Sequence, residues 1–146
     1  MKALDVAKYI INANIHDIDN LKLQKLLYYC QGIHFCLSDT PLFDDEIEAW
    51  QYGPVVPCVY KKYKSYGFEP IHKISNTENI RLSNTEREAI DMTLSYYGLM
   101  SGVTLINKTH QETPWKSVFQ PGKKHLIISK DSIKKYFQNN IKIENE

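Results

Sequence analysis

Cys30 and His34 stand four residues apart in a segment of helical period, a spacing that lets a thiolate and an imidazole share one metal ion. A zinc site needs three or four ligands, and no second pair of suitable residues follows. Both also fall on the apolar stripe Leu23, Leu26, Leu27, Cys30, Ile33, His34 and Leu37, where a buried thiol and a packed imidazole are the ordinary occupants. Neither a metal nor a cofactor is expected. Nucleophilic catalysis would need a Ser or Cys with a His base and an orienting acid. Ser117 and Cys58 lack such surroundings, and the six glycines stand apart instead of forming a phosphate-binding loop. The residue types point away from an enzyme.

Binding chemistry is better represented. The acidic run Asp44-Asp45-Glu46, with Glu48, suits a cation or a basic partner, although a solvated loop and strand edge explains it more simply. Lys61, Lys62 and Lys64 alternate with Tyr60, Tyr63 and Tyr66, which suits phosphates and stacked bases. The Val56-Val59-Tyr60-Tyr63 period favours instead a helix with its tyrosines inward and its lysines in water. Two turns loaded with aromatic residues are the stronger candidates: residues 50–54, with Trp50, Tyr52 and Pro54, and residues 110–115, with His110 and Trp115. Lys22, Lys25 and Tyr29 lie on a second face of the helix that carries the apolar stripe and complete the set of expected partner contacts. The structural alternative is that both tryptophans wedge a small sheet onto the helices while His110 caps a helix end.

These residues must be held by elements legible in the pattern. A helix over 4–13 precedes the central one, which Asp19 caps and which ends near Leu37. Residues 46–51 alternate as a strand, and Tyr52-Gly53-Pro54 breaks it. Pro54 and Pro57 open the next helix, which Gly67 stops, and a connector runs from Phe68 to Ile80. Ser83-Asn84-Thr85-Glu86 is a capping box for a helix reaching Gly98; Ser101 caps another that ends around His110 to Glu112. Thr113-Pro114-Trp115 starts a single turn through Phe119, and 125–129 form a strand that pairs with 46–51. A last helix holds Ile133, Tyr136 and Phe137. The expected fold is mainly α (α+β): one compact domain of about six helices with a small antiparallel sheet.

Composition agrees. The 146 residues suffice for one domain, 42% are hydrophobic, and 18 basic against 17 acidic side chains leave a net charge of +1. A dedicated nucleic-acid binder carries a basic excess, so nucleic acid is not the expected partner. Three cysteines without metal spacing suit reduced thiols in the cytoplasm, and neither a secretory signal nor a membrane-spanning run is visible. Ten tyrosines and two tryptophans suit a protein interface as well as a core.

Residues 21–32 (LKLQKLLYYCQG), 41–57 (PLFDDEIEAWQYGPVVP) and 109–115 (THQETPW) together resemble the Panacea, or SocA-like, antitoxin domain. The resemblance covers residues 1–138, leaving a polar tail over 139–146 that is expected to fray. It implies a bacterial or phage toxin–antitoxin system in which this domain neutralises a toxin encoded nearby by binding it. For at least one member it also implies delivery of the toxin to an ATP-dependent protease, which makes a proteolytic adaptor the alternative function. A nucleic-acid-binding regulator using Lys61 to Tyr66 is the second alternative, and no fused DNA-binding module is expected.

Overall fold

The computed structural model describes residues 1–13, 15, 17–75, 77 and 79–143. Seven α-helices and three short strands are present among them: α1 (Ala3–Ile11), α2 (Asn20–Leu37), β1 (Ile47–Trp50), β2 (Gly53–Val55), α3 (Pro57–Tyr63), α4 (Asn84–Tyr97), α5 (Gly102–His110), α6 (Thr113–Lys116), β3 (Ile127–Ile128) and α7 (Lys130–Asn140). A 3-10 turn, Lys64–Tyr66, extends α3. The mainly helical fold with a small antiparallel sheet is as the residue pattern indicates. The seventh helix is the single turn of α6.

Helix α2 is the axis, with α1, α3, α4, α5, α7 and β2 packed around it. Every residue from Lys22 to Phe35 is buried. The expected division into an apolar stripe and a second, polar face therefore fails as a description of exposure. Lys22, Lys25 and Tyr29 are as enclosed as the leucines. Gly102 covers Lys22, and Tyr97 and Phe137 cover Tyr29, while the remaining polar side chains of α2 are wrapped by the chain that follows it. His34 Nδ1 bonds the Thr40 carbonyl at 2.8 Å. Gln31 Oε1 accepts from the Leu42 amide at 2.7 Å, and its Nε2 donates to the Phe43 carbonyl at 2.8 Å. Gln24 Oε1 accepts from the Val56 amide at 2.9 Å, and Asn20 Nδ2 donates to the Tyr60 carbonyl at 3.0 Å. Loop backbone that would otherwise be orphaned inside the protein is thereby satisfied by side chains of one helix.

The helix starts follow their capping residues. Asp19 accepts from the Lys22 amide at 2.8 Å, Ser83 and Glu86 form the reciprocal box, and Ser101 caps α5. Ser129 caps α7 in the same way. Helix α1 stops at Ile11, short of residue 13, and Asn12 then grips Ile74 through both backbone groups at 2.8 Å. This clasp fastens the connector to α1. Helix α7 runs through Asn140, and Ile141 and Ile143 pack on the core, so regular structure passes the start of the expected tail; residues 144–146 lie outside the described residues.

The sheet order is β2-β1-β3, all antiparallel. The pairing of β1 with the 125–129 segment appears as Ile47 opposite Ile128. The expectation that Pro54 opens a helix is corrected: Pro54 lies in β2 opposite Ala49, and α3 begins at Pro57. The edge of a sheet accepts a residue without an N–H, and Gly53, at φ +107°, brings the chain back after only Gln51 and Tyr52.

The wrap gives a direct test. Gln31→Leu removes the partner of three backbone groups, the Leu42 and Phe43 amides and the Phe43 carbonyl, and is expected to destabilise the fold by about 2–4 kcal/mol. Urea denaturation reads the loss. Amide exchange at Leu42 and Phe43 should accelerate more than at Leu105, whose amide bonds Ser101 in α5.

Candidate functional site

The turn between β1 and β2 is bolted from two sides. From α2, Lys25 Nζ donates to the Pro54 carbonyl at 3.0 Å. From α6, Trp115 Nε1 donates to the Trp50 carbonyl at 2.7 Å. The close approach requires glycine at 53. A Cβ there would sit 2.7 Å from Lys25 Cε and 2.8 Å from Thr109 Oγ1. Trp115 is itself sandwiched, with the His110 ring stacked at 4.0 Å and Phe119 at 4.7 Å. Trp115 thus wedges the sheet onto the helices. His110 lies in the last turn of α5 with its ring stacked on Trp115, and burial, joined by the nearby Lys25 charge, holds its pKa down. Its Nε2 is buried with no hydrogen-bond partner among the described residues.

Beneath α6 lies a second polar knot. Glu112 is buried, and its carboxylate accepts from the Tyr28 hydroxyl at 2.9 Å and the Tyr29 hydroxyl at 3.0 Å. Desolvation pushes the Glu112 pKa up, opposed by both phenols and by Lys108. Tyr29 also stacks on Tyr97 at 4.1 Å. Tyr29 therefore ties α2 to the α5–α6 turn. In the sequence Glu112 marks only a helix end, because nothing local shows that paired tyrosines of a distant helix reach it.

Above the bolted turn opens a largely apolar groove of about 760 Å³. Buried Asn20, Gln24 and Lys25 line it together with Val55 and Ile106, while Tyr52, Phe68 and Val103 are exposed along it at 58%, 86% and 66%. Trp50 is half-buried there, its ring edge-on to Tyr60 at 5.0 Å and its Nε1 donating to Glu48 at 2.9 Å. Of the eight residues singled out for partner contact, Trp50, Tyr52 and Lys25 meet at this groove. Pro54 and Trp115 are buried in the turn beneath it, His110 is half-buried beside Trp115, and Lys22 and Tyr29 are buried elsewhere along α2, against Gly102 and Tyr97. Phe68 and Val103 belong to the groove and were not singled out. Phe68 falls in a connector without period, and Val103 sits on a helix whose apolar neighbours claim the pattern.

The remaining candidates have structural partners. Cys30 is fully buried, which pushes its thiol up to about 12, and burial holds His34 below its usual range. Among the described residues no three His, Cys, Asp or Glu are grouped to hold a metal ion, and no helix is long and apolar enough to cross a membrane. Asp45 accepts from the Ala3 amide at 2.8 Å, and Glu46 lies 3.7 Å from Lys130. Tyr63 is buried and Tyr60 and Tyr66 are half-buried, while Lys61, Lys62 and Lys64 are exposed.

Lys25 is the buried cation of the site. Desolvation lowers its pKa to about 7, and only Asp19 opposes the shift. The unfolded chain therefore holds a proton that the folded one releases between pH 7 and the ordinary lysine range, and this group makes stability rise with pH there. The thiols, raised by burial, act in the opposite sense above about pH 8.5. The difference between wild type and Lys25→Met isolates the lysine. Urea denaturation should show wild type gaining on the variant by on the order of 2–3 kcal/mol from pH 7 to 9.5. A difference that does not change with pH would refute a charge-penalised Lys25.

Residues 23–116, which run from the first turn of α2 through the hairpin and groove to the end of α6, match the family described as Antitoxin SocA-like, Panacea domain. The antitoxin SocA of Caulobacter vibrioides (strain NA1000 / CB15N) is 33% identical over 110 residues, covering 67% of this chain and 58% of that protein. The chain thus spans less than two thirds of that relative's length. No solved structure matches the chain. With most of the wrapped helix, the bolted turn and all of the groove but Asn20 and Leu21 inside the matched span, the chain belongs to the SocA-like, Panacea-domain antitoxin family.

Proposed function

We propose that the chain is an antitoxin that silences a cognate toxin by direct binding in the cytoplasm, with the groove over the β1–β2 turn as the contact surface. The toxin is a protein encoded by a neighbouring gene, and neutralisation is by occlusion, without chemistry on the partner. The observation that carries this reading is the exposure of Tyr52, Phe68 and Val103 around one apolar groove. Large side chains kept in water beside an apolar cleft mark an interaction site. Burying each of them fully against a partner would contribute about 1.5–3 kcal/mol. The frame beneath supports such use, because a turn held by Lys25 and Trp115 loses little freedom on binding.

The readout is growth on co-expression with each neighbouring reading frame. Phe68→Asp combined with Val103→Asp, both at exposed positions, should leave the melting temperature within a few degrees of wild type and abolish rescue. Tyr52→Ala alone should weaken toxin binding by about tenfold or more. Full rescue by the folded double variant would remove the groove from the interface. Rescue that vanishes only in hosts lacking an ATP-dependent protease would replace occlusion with delivery of a client for degradation.

A further inference from the structure

The charges around the groove are one-sided. Lys25 and Lys64 line it, and no aspartate or glutamate does. Lys64 is exposed, beside the groove's Gly67 and Phe68. Lys25 lies wholly inside, donates to the Pro54 carbonyl, and forms no salt bridge among the described residues. Asp19, the acid that most affects it, already accepts from the Lys22 amide as the cap of α2. Glu48 is held by Trp50 Nε1. Lys64 is therefore the groove's one exposed charge, and Lys25, whose pKa of about 7 leaves it only partly protonated at neutral pH, adds a partial positive charge from inside.

We infer that the groove selects a partner segment that combines apolar side chains with a carboxylate, and rejects the same segment carrying a cation. This rests on the groove being the partner surface and deepens that reading by naming the chemistry of the segment it takes. The apolar part fills the space beside Val55, Ile106 and Val103, and the carboxylate pairs with the exposed Lys64. Recognition of this kind adds specificity and rate by complementarity, since a cation on the segment would meet the like charge of Lys64 with no carboxylate in the groove to offset it.

The test uses the whole chain and three fluorescent peptides with the same leucine and phenylalanine content, carrying glutamate, glutamine or lysine at the variable positions. Polarisation gives affinity, and amide chemical shifts give location. The glutamate peptide should bind about tenfold tighter than the glutamine peptide, and the lysine peptide more weakly still. Shifts should cluster at Tyr52, Phe68 and Val103. Lys64→Glu, at an exposed position, should reverse the order in that variant, so that the lysine peptide binds tighter than the glutamate peptide. Val103→Asp should weaken all three. Equal binding of the glutamate and glutamine peptides, preference for lysine, shifts elsewhere or no binding at all would overturn the inference. Growth rescue is read separately. If rescue is lost in groove variants while the peptides show no charge preference, the charge rule falls and the surface stands. If the preference holds while groove variants rescue fully, the toxin assignment of the groove falls instead.

Discussion

A helix buried on nearly every side must find partners for the polar atoms it carries, and α2 finds most of them in the backbone of the segment that follows it and the rest, for Tyr28 and Tyr29, at Glu112. Asn20, Gln24, Lys25, Gln31 and His34 each bond a main-chain group between residues 40 and 60. An unmet buried group costs about 1–3 kcal/mol, so helix and loop are stable only together. The loop could not otherwise lie against the core, and the helix could not carry so many polar side chains inside. This mutual dependence gives a chain of short strands and short helices a single arrangement.

The same constraint sets the geometry of the groove. The β1–β2 turn is fixed by Lys25 at the Pro54 carbonyl and by Trp115 at the Trp50 carbonyl. Gly53 is needed twice over, for its positive φ and for the room that Lys25 and Thr109 leave it. Such a turn has little freedom left, so Trp50 and Tyr52 are presented in one orientation. The cost is an ammonium group held out of water, visible as the lowered pKa of Lys25. A lysine kept at such a cost is matched by what its bond organises.

The amino-acid pattern makes some of this legible and hides the rest for physical reasons. Helix starts were readable because Asp19, Ser83 and Ser101 act within three residues of themselves. The strand pairing of β1 with β3 was readable because a lone strand leaves its backbone unsatisfied. The hairpin partner β2 was missed because Pro54 reads as a helix opener, and only the edge position makes it acceptable in a strand. The burial of Lys22, Lys25 and Tyr29 was missed because a helical stripe reports which residues share a face, not how many faces are covered. Glu112 and its two tyrosine donors are far apart in the chain, and no local spacing connects them.

Frame and surface are separable, and this bears on how one fold can serve different partners. The side chains that wrap α2 and bolt the turn are buried, and changing any of them leaves an orphaned group or a void. Tyr52, Lys64, Phe68 and Val103 are exposed, and exchange at such positions usually alters stability by less than about 0.5 kcal/mol. The shape of the groove is therefore tied to the fold, whereas its charge and its apolar rim are not. Under the proposed function, a domain built this way keeps its scaffold while its exposed side chains set the chemistry of what it binds. The groove's two lysines are then of unequal kind: Lys25 is part of the scaffold's own bonding, whereas Lys64 is exposed at the rim and enters no bond on which the turn depends.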